Sequence, residues 1–489
     1  MAQTITSERP LPPTPDNDAA CSCEIIDFFR VKDIVNQRIR FQLPLSYSDP
    51  SNDARISVVV NITQKYDESL HKVGDIYSTV ILPESTKLIC YIQGGPGFPC
   101  GVPLSNSAYT KTLLDRGYQI LYLDQRGTGL STPIEAATFE HLLPKKQGET
   151  SDSYTKRQLE FILNFRADSI VEDYEVIRKA LDVDQWSLLG QSYGGFTSFT
   201  YVSKYPSSLK EVLVTGGVPP INFLPDDVYK ATYARTAERN VHYYNKYPED
   251  KQRVRNILNY LDANKVTLPN GGNLSVERFQ QIGLSFGAQG GTDNIHQLVT
   301  KFDYDLKLFG FPTLQILTAV QNESSFDSNV IYALFQEAIY MDGNNPSAKH
   351  SDWSADRLRL QAEPNFTYNK DSKDAVFFTG EMVYKSMFDD FVELKKFKEL
   401  AYALHSNNNW SKLYDTQVLY ETKVPIVSAT YVYDQYVDFD LTRQVKQQVF
   451  RNNGNLKQFI TSEFFHNGVR ADPEKVLGSL FALLDCEID

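Results

Sequence analysis

Long apolar runs are missing from this chain of 489 residues. None reaches the ~18 residues that a membrane-spanning helix needs, which excludes a helical integral membrane protein. Cysteine is scarce as well. Cys21, Cys23, Cys90, Cys100 and Cys486, spread over such a length, make no disulfide framework, and Cys21-Ser-Cys23 lacks the spacing of a zinc-binding pair. Free thiols in a reducing compartment fit better. The first 23 residues carry no apolar secretory core, and Glu8, Asp16 and Asp18 do not suit a transit peptide, so the expected location is cytoplasmic. The sequons beginning at Asn61, Asn273, Asn322, Asn365 and Asn409 then have no glycan to carry, and Cys486-Glu-Ile-Asp489 does not suit a prenylation box. Positive charge is in deficit, with 49 Lys and Arg against 61 Asp and Glu and a net charge of −12. That balance argues against nucleic acid or an anionic membrane as the main partner. Internal repeats are absent too.

The chain is rich in what builds a core: 42% hydrophobic residues, with 29 Tyr and 29 Phe. Its length suggests roughly two to three units. A polar, Pro-rich arm is expected over 1–23. Arg38 to Leu45 and Ile56 to Tyr66 have strand-like composition with a turn cluster between them, and predict an antiparallel edge. Lys87 to Ile92, Gln119 to Asp124, Trp186 to Gly190 and Glu211 to Thr215 are short continuous apolar runs, as expected of strands buried on both faces. Helical patterns separate them, one from about Thr155 to Leu181 and one after Ser192 ending near Tyr205-Pro206. Alternation of this kind predicts an α/β fold with a mostly parallel sheet flanked by helices.

From about Pro219 to Leu404 helical spacing takes over. Strand signals return at Val424 to Val432 and Lys457 to Phe464, and a last helix is expected from about Pro473 to Leu484. The division expected is therefore 24–218 for the first part of the core, 219–405 for an inserted helical lid, and 406–489 for the second part of the core.

Four stretches carry the chemistry. Gly190-Gln-Ser-Tyr-Gly194 sits between a strand and a helix, as a nucleophile elbow does, which makes Ser192 the candidate nucleophile. A serine hydroxyl needs a base, and the base needs a third group to hold its tautomer. His71 and His141 precede Ser192, while His242, His296, His350 and His405 fall within or at the end of the helical insert. Only His466 follows a returning strand, so it is the candidate base. Asp434 directly follows the strand before it and is the favoured acid, with Asp438 and Asp440 close enough to compete. The order Ser, acid, His is that of the α/β-hydrolase fold. For a developing oxyanion, Tyr193 supplies one backbone N–H, and the glycine-rich loop after Ile92 should supply the other.

Gln93-Gly-Gly-Pro-Gly-Phe98, Asp124-Gln-Arg-Gly-Thr-Gly-Leu-Ser-Thr-Pro133, Phe165-Arg-Ala-Asp-Ser-Ile-Val171, Gly190-Gln-Ser-Tyr-Gly-Gly195 and Thr215-Gly-Gly-Val-Pro-Pro220 resemble the proline iminopeptidases, particularly fungal-type members. In the insert, Glu337-Ala-Ile-Tyr340, Trp353-Ser-Ala-Asp-Arg357 and Thr379-Gly-Glu-Met-Val-Tyr384 resemble the same family, so the likeness covers about residues 30 to 485. It implies removal of an N-terminal residue, preferably proline, from peptides, with no metal or organic cofactor. It also implies a triad of Ser192, Asp434 and His466, and an oxyanion hole made by the Gly95 and Tyr193 amides. One departure stands out: Gln93 occupies a position where many bacterial members carry histidine.

The free amine of such a substrate is cationic, and a buried cation needs a carboxylate partner. The resemblance implies glutamates of the lid, with Glu337 and Glu381 in the matching motifs and Glu238 a third candidate. An esterase on the same fold is the alternative within hydrolases; an epoxide hydrolase would normally place an acid where Ser192 stands. A non-catalytic relative would typically lack a triad member, and all three are present.

Overall fold

The apolar runs that end in glycine-rich turns form the middle of a nine-stranded sheet. The computed structural model describes residues 2–3, 22–71, 80–83, 87–362, 364–450 and 454–488. In chain order the strands are β1 (Ser22–Val31), β2 (Ile34–Pro44), β3 (Arg55–Lys65), β4 (Lys87–Ile92), β5 (Tyr118–Leu123), β6 (Trp186–Gln191), β7 (Leu209–Thr215), β8 (Ile426–Tyr431) and β9 (Leu456–Thr461). They lie side by side as β9-β8-β7-β6-β4-β5-β3-β2-β1. From β5 to β9 neighbours are parallel; β3 pairs antiparallel with β5 and continues into the antiparallel edge β3-β2-β1. The α/β fold with a mostly parallel sheet is the one expected.

Alternate residues of the central strands feed two cores, as a period of two requires of a sheet covered on both sides. Ile89 and Tyr91 of β4 join one cluster, and Leu88, Cys90 and Ile92 the other. Helix α1 (Ala108–Asp115) packs on the first face, while α2 (Ala167–Ala180) and α3 (Tyr193–Lys204) supply Val171, Tyr174, Phe196 and Phe199 to the second. Each fully buried large apolar side chain here contributes about 1.5–3 kcal/mol.

After β7 the chain leaves the sheet and returns only at β8, where Ile426 pairs with Val212 of β7. The intervening described residues add no strand to this sheet. They are mostly helical, including α4 (Pro225–Lys246), α5 (Val330–Phe335) and α6 (Ser354–Arg359), and helical structure continues to Lys398–His405 and Thr416–Glu421. The chain closes with α7 (Pro473–Leu484), whose Val476, Leu477, Leu480 and Phe481 pack beside α1. Among the described residues no helix is long and apolar enough to cross a membrane. Cys23, Cys90, Cys100 and Cys486 carry free thiols; Cys21 and most of the expected N-terminal arm lie outside the described residues.

One local expectation needs correction, and one strand adds to the edge that was expected. Ser22–Val31 is a full edge strand: it pairs with β2 around a bulge between Ile25 and Asp27, and that bulge breaks the alternation by which strands are recognised. The pattern from Thr155 to Leu181 is two helices, Ser151–Ile162 and α2, divided at Arg166, whose backbone is extended (φ −83°, ψ 173°). Arg166 is buried. Its guanidinium donates to Ser411 Oγ at 2.7 Å and to the carbonyls of Ala338 and Met341, and stacks on Trp410. These contacts with the region between β7 and β8 are long-range, and they override a helical pattern that is locally continuous.

Candidate active site

The elbow follows from close backbone packing at the end of β6. Ser192 adopts φ 57° and ψ −125°, a conformation costly for a residue with a side chain, at about 1–3 kcal/mol. It is held there because its N–H donates to Thr215 O of β7 at 3.0 Å, while its own carbonyl accepts from Gly195 N at 2.7 Å. The flanking glycines have no room for a side chain. A Cβ on Gly194 would stand 1.9 Å from Ile92 O, and one on Gly195 would stand 2.2 Å from Gly217 O. Ser192 is consequently raised above the sheet at the first position before α3, with 9% of its surface exposed.

Asp434 and His466 come from the loops after β8 and β9 and meet at 2.7 Å between Oδ2 and Nδ1. The other carboxylate oxygen of Asp434 accepts the backbone N–H groups of Tyr436 (2.8 Å) and Val437 (3.0 Å), which fix the acid. Tyr436 packs edge-on against the imidazole at 4.7 Å, and the backbone N–H of His466 donates to Gly287 O. Burial alone would lower the pKa of His466; the Asp434 charge and hydrogen bond outweigh it, and the pKa stands above its ordinary value. The competing acids lie elsewhere. Asp438 caps the next helix by accepting from Asp440 N and Leu441 N, and Asp440 pairs with Arg443 at the surface.

Gly216 and Gly217 connect the two halves of the site. A Cβ on Gly216 would touch His466 Nδ1 at 3.1 Å and Asp434 Oδ2 at 3.3 Å, and one on Gly217 would touch Ser192 O at 2.3 Å. On the other side, Gly94 approaches Ser192 so closely that a Cβ there would stand 2.9 Å from the Ser192 Cβ. Gly95 follows at φ +121°, in a loop that Gln93 braces. The Gln93 amide donates to Pro99 O (2.9 Å) and accepts from Gly94 N (3.1 Å) and Tyr91 OH (3.2 Å). Arg470, four residues beyond His466, reaches both Gln93 Oε1 and Gln191 Oε1 at 3.4 Å, tying the histidine loop to the ends of β4 and β6. Tyr193, the first residue of α3, has one of the four leading amides that find no acceptor inside a helix.

The three glutamates separate clearly. Glu238 is exposed and paired with Arg235, so the structure does not bring it to Ser192. Glu337 is buried but already occupied: its carboxylate accepts from Ser354 N (3.0 Å) and Ala355 N (2.9 Å) at the start of α6 and lies 3.0 Å from His405 Nδ1. His405 in turn stacks on Trp353 at 3.7 Å. Glu381 differs from both. Its carboxylate accepts from Tyr332 OH at 2.6 Å, and Tyr332 packs edge-on against Phe98 of the glycine loop at 4.9 Å. Burial pushes its pKa up to about 7, with the Asp434 charge adding to the rise and His466, Tyr332 and Gln336 opposing it. Glu381 thus lies within electrostatic reach of the His466–Asp434 pair, as a carboxylate with no basic side chain among the described residues bonded to it.

Tyr332, Tyr436 and Arg470 escape a reading of the sequence because each acts through contacts between distant segments. Their only local signal is proximity to a motif: Tyr436 follows Asp434 by two residues, and Arg470 follows His466 by four.

The profile of the α/β-hydrolase fold matches residues 87–261. A proline iminopeptidase of Aspergillus aculeatus is 38% identical over 456 residues, covering 92% of this chain and 94% of that one. A proline iminopeptidase of Aeromonas sobria is 37% identical, covering 91% and 96%. The solved structure of the Mycobacterium smegmatis proline iminopeptidase aligns with 91% of this chain and 97% of its own at a TM-score of 0.38 and 12% identity.

Proposed function

The chain belongs to the proline iminopeptidase family of the α/β-hydrolase fold, and on that premise we propose that it releases an N-terminal residue, preferably proline, from peptides through an acyl-enzyme on Ser192. The observation that carries the proposal is the His466–Asp434 pair at 2.7 Å beside the Ser192 elbow, with the Glu381 carboxylate in electrostatic reach.

His466, neutral and with Nδ1–H directed to Asp434, takes the proton of Ser192 Oγ through Nε2 as the oxygen attacks the scissile carbonyl carbon. The carbonyl oxygen becomes an oxyanion held by the Gly95 and Tyr193 N–H groups; donors of this kind are worth about 2.7–4 kcal/mol each. The imidazolium then protonates the leaving nitrogen, the C–N bond breaks, and the shortened peptide departs. Water, deprotonated by His466, attacks the ester; the Ser192 oxygen leaves with the proton, and the free amino acid is released. Throughout, Glu381 holds the substrate's protonated amine, which sets the register at one residue from the terminus. Glu337 supports this arrangement from behind by fixing α6 and His405. The helical region over 219–405 acts as a lid that excludes a chain extending beyond the amine.

The test is a chromogenic panel of proline, alanine and N-blocked proline anilides plus a short-chain ester, run on wild type and Ser192→Ala. Cleavage of free-amine anilides, refusal of the blocked one and loss of all activity in the variant are expected. Strong ester hydrolysis without any anilide hydrolysis would overturn the aminopeptidase reading.

A further inference from the structure

Gln336 lies beside Glu381, the acidic group of the site. It is 1% exposed, and neither its Nε2 nor its Oε1 forms a hydrogen bond of full geometry with any described residue. Buried amides are satisfied in the large majority of cases, so a side chain with an open end calls for a ligand. The backbone directs it. Gln336 follows the end of α5 four residues after Tyr332, so the two side chains leave on one face, and Tyr332 already donates to Glu381 at 2.6 Å. The Gln336 amide also faces the Glu381 carboxylate closely enough to act on it as a hydrogen-bond donor and oppose the rise in its pKa, which leaves Oε1 as the open end. Its carbonyl is anchored by Tyr229 OH at 3.3 Å, and α5 packs on the glycine loop, where a Cβ on Gly97 would meet Ile331 Cβ at 2.8 Å.

We infer that Gln336 is a second reader of the substrate's terminal amine, resting on the aminopeptidase reading above. Its Oε1 accepts one N–H of the protonated amine while its Nε2 donates to the Glu381 carboxylate. A pyrrolidinium carries two N–H bonds, and one carboxylate oxygen with one amide oxygen accepts both. The Nε2 donor favours the ionised form of Glu381 at the same time, so one side chain serves both partners of the ion pair.

Gln336→Leu keeps the volume and removes both hydrogen-bonding ends. Expected is a loss of about tenfold or more in kcat/KM on proline anilide, carried mainly by KM, with the short-chain ester within about twofold of wild type. The acid limb of the anilide profile should move to higher pH, since Glu381 loses a donor that favours its ionised form. Gln336→Glu, which keeps an acceptor but adds a like charge, should move that limb further the same way. Labelling of Ser192 by a fluorophosphonate at the wild-type rate shows that each variant has folded. Equal losses on anilide and ester, or an anilide rate and acid limb unchanged in Gln336→Leu, would overturn the role of Gln336 while leaving the aminopeptidase reading intact. A wild type that cleaves the ester and no anilide overturns that reading, and the role of Gln336 with it.

Discussion

Replacing Glu381 with glutamine removes a charge and a titration while leaving the shape of the side chain nearly unchanged. Burial holds this carboxyl at about 7 against an ordinary 4.5, so its ionised form costs the free protein about 3 kcal/mol. A bound ammonium offsets that cost. Without the carboxylate, the ammonium is left buried and unpaired, a loss of about 3–5 kcal/mol for a buried pair. On proline anilide kcat/KM should therefore fall by about 10²–10⁴-fold, while a neutral short-chain ester stays within about twofold. The pH profile gives the sharper readout. Productive binding needs Glu381 ionised, and attack needs His466 neutral, with its pKa held above the ordinary value by Asp434 against the effect of burial. As pH falls, Glu381 takes up a proton through about 7 and His466 above its ordinary range, the two titrating as a coupled pair, so log kcat/KM on the anilide drops with a slope steeper than one and approaching two. The ester, which has no ammonium to hold, drops with a slope of one. In Glu381→Gln both substrates should show a slope of one. The limb should also move to lower pH, because an anion that favours the imidazolium is gone. Equal loss on both substrates, or a limb of slope two that persists in the variant, would refute the assignment of Glu381 to the amine.

Two further outcomes follow from packing. Gly194→Ala places a methyl 1.9 Å from the backbone oxygen of Ile92, so a loss of about 1–3 kcal/mol or more in urea unfolding is expected together with loss of activity. Gly478→Ala in α7, with nothing within 4 Å of the added Cβ, should gain about 0.5–1 kcal/mol; similar unfolding midpoints for the two variants would contradict the close approach at the elbow. Glu337→Gln weakens its bonds to Ser354 N, Ala355 N and His405, so thermal unfolding should show a loss of about 2–4 kcal/mol, with anilide and ester rates falling together. A selective loss on free-amine substrates would instead return Glu337 to the role of amine partner.

The middle of the sheet, β7-β6-β4-β5, was legible because each of these strands is a short apolar run leading into a glycine-bearing turn, and both properties are local. Asp434 and His466 could be singled out because loops at the ends of parallel strands are where such sheets place their chemistry. The geometry between them adds what no spacing contains, namely the two amides that hold Asp434 and the glycine pair linking it to Ser192. Discrimination among the glutamates was not legible, since Glu337 and Glu381 both stand in motifs and differ only in what surrounds them. Glu337 is filled by a helix start and a histidine 68 residues away, and Glu381 is bonded to a tyrosine 49 residues away. Arg166 shows the reverse case: a continuous helical pattern yields where a buried guanidinium has carbonyls of another segment to bind.

The departure of the chain after Thr215 and its return at Ile426 also has a consequence in time. Ser192 emerges from the ribosome roughly 270 residues ahead of His466, and at about 5–20 residues per second that interval is on the order of tens of seconds. For most of it the elbow lacks the proposed base, the proposed acid and the two strands, β8 and β9, that complete the far side of the sheet. On the proposed triad, a nascent chain of this protein stays inert, and peptide bonds nearby, including those of other growing chains, are out of its reach until translation is almost finished.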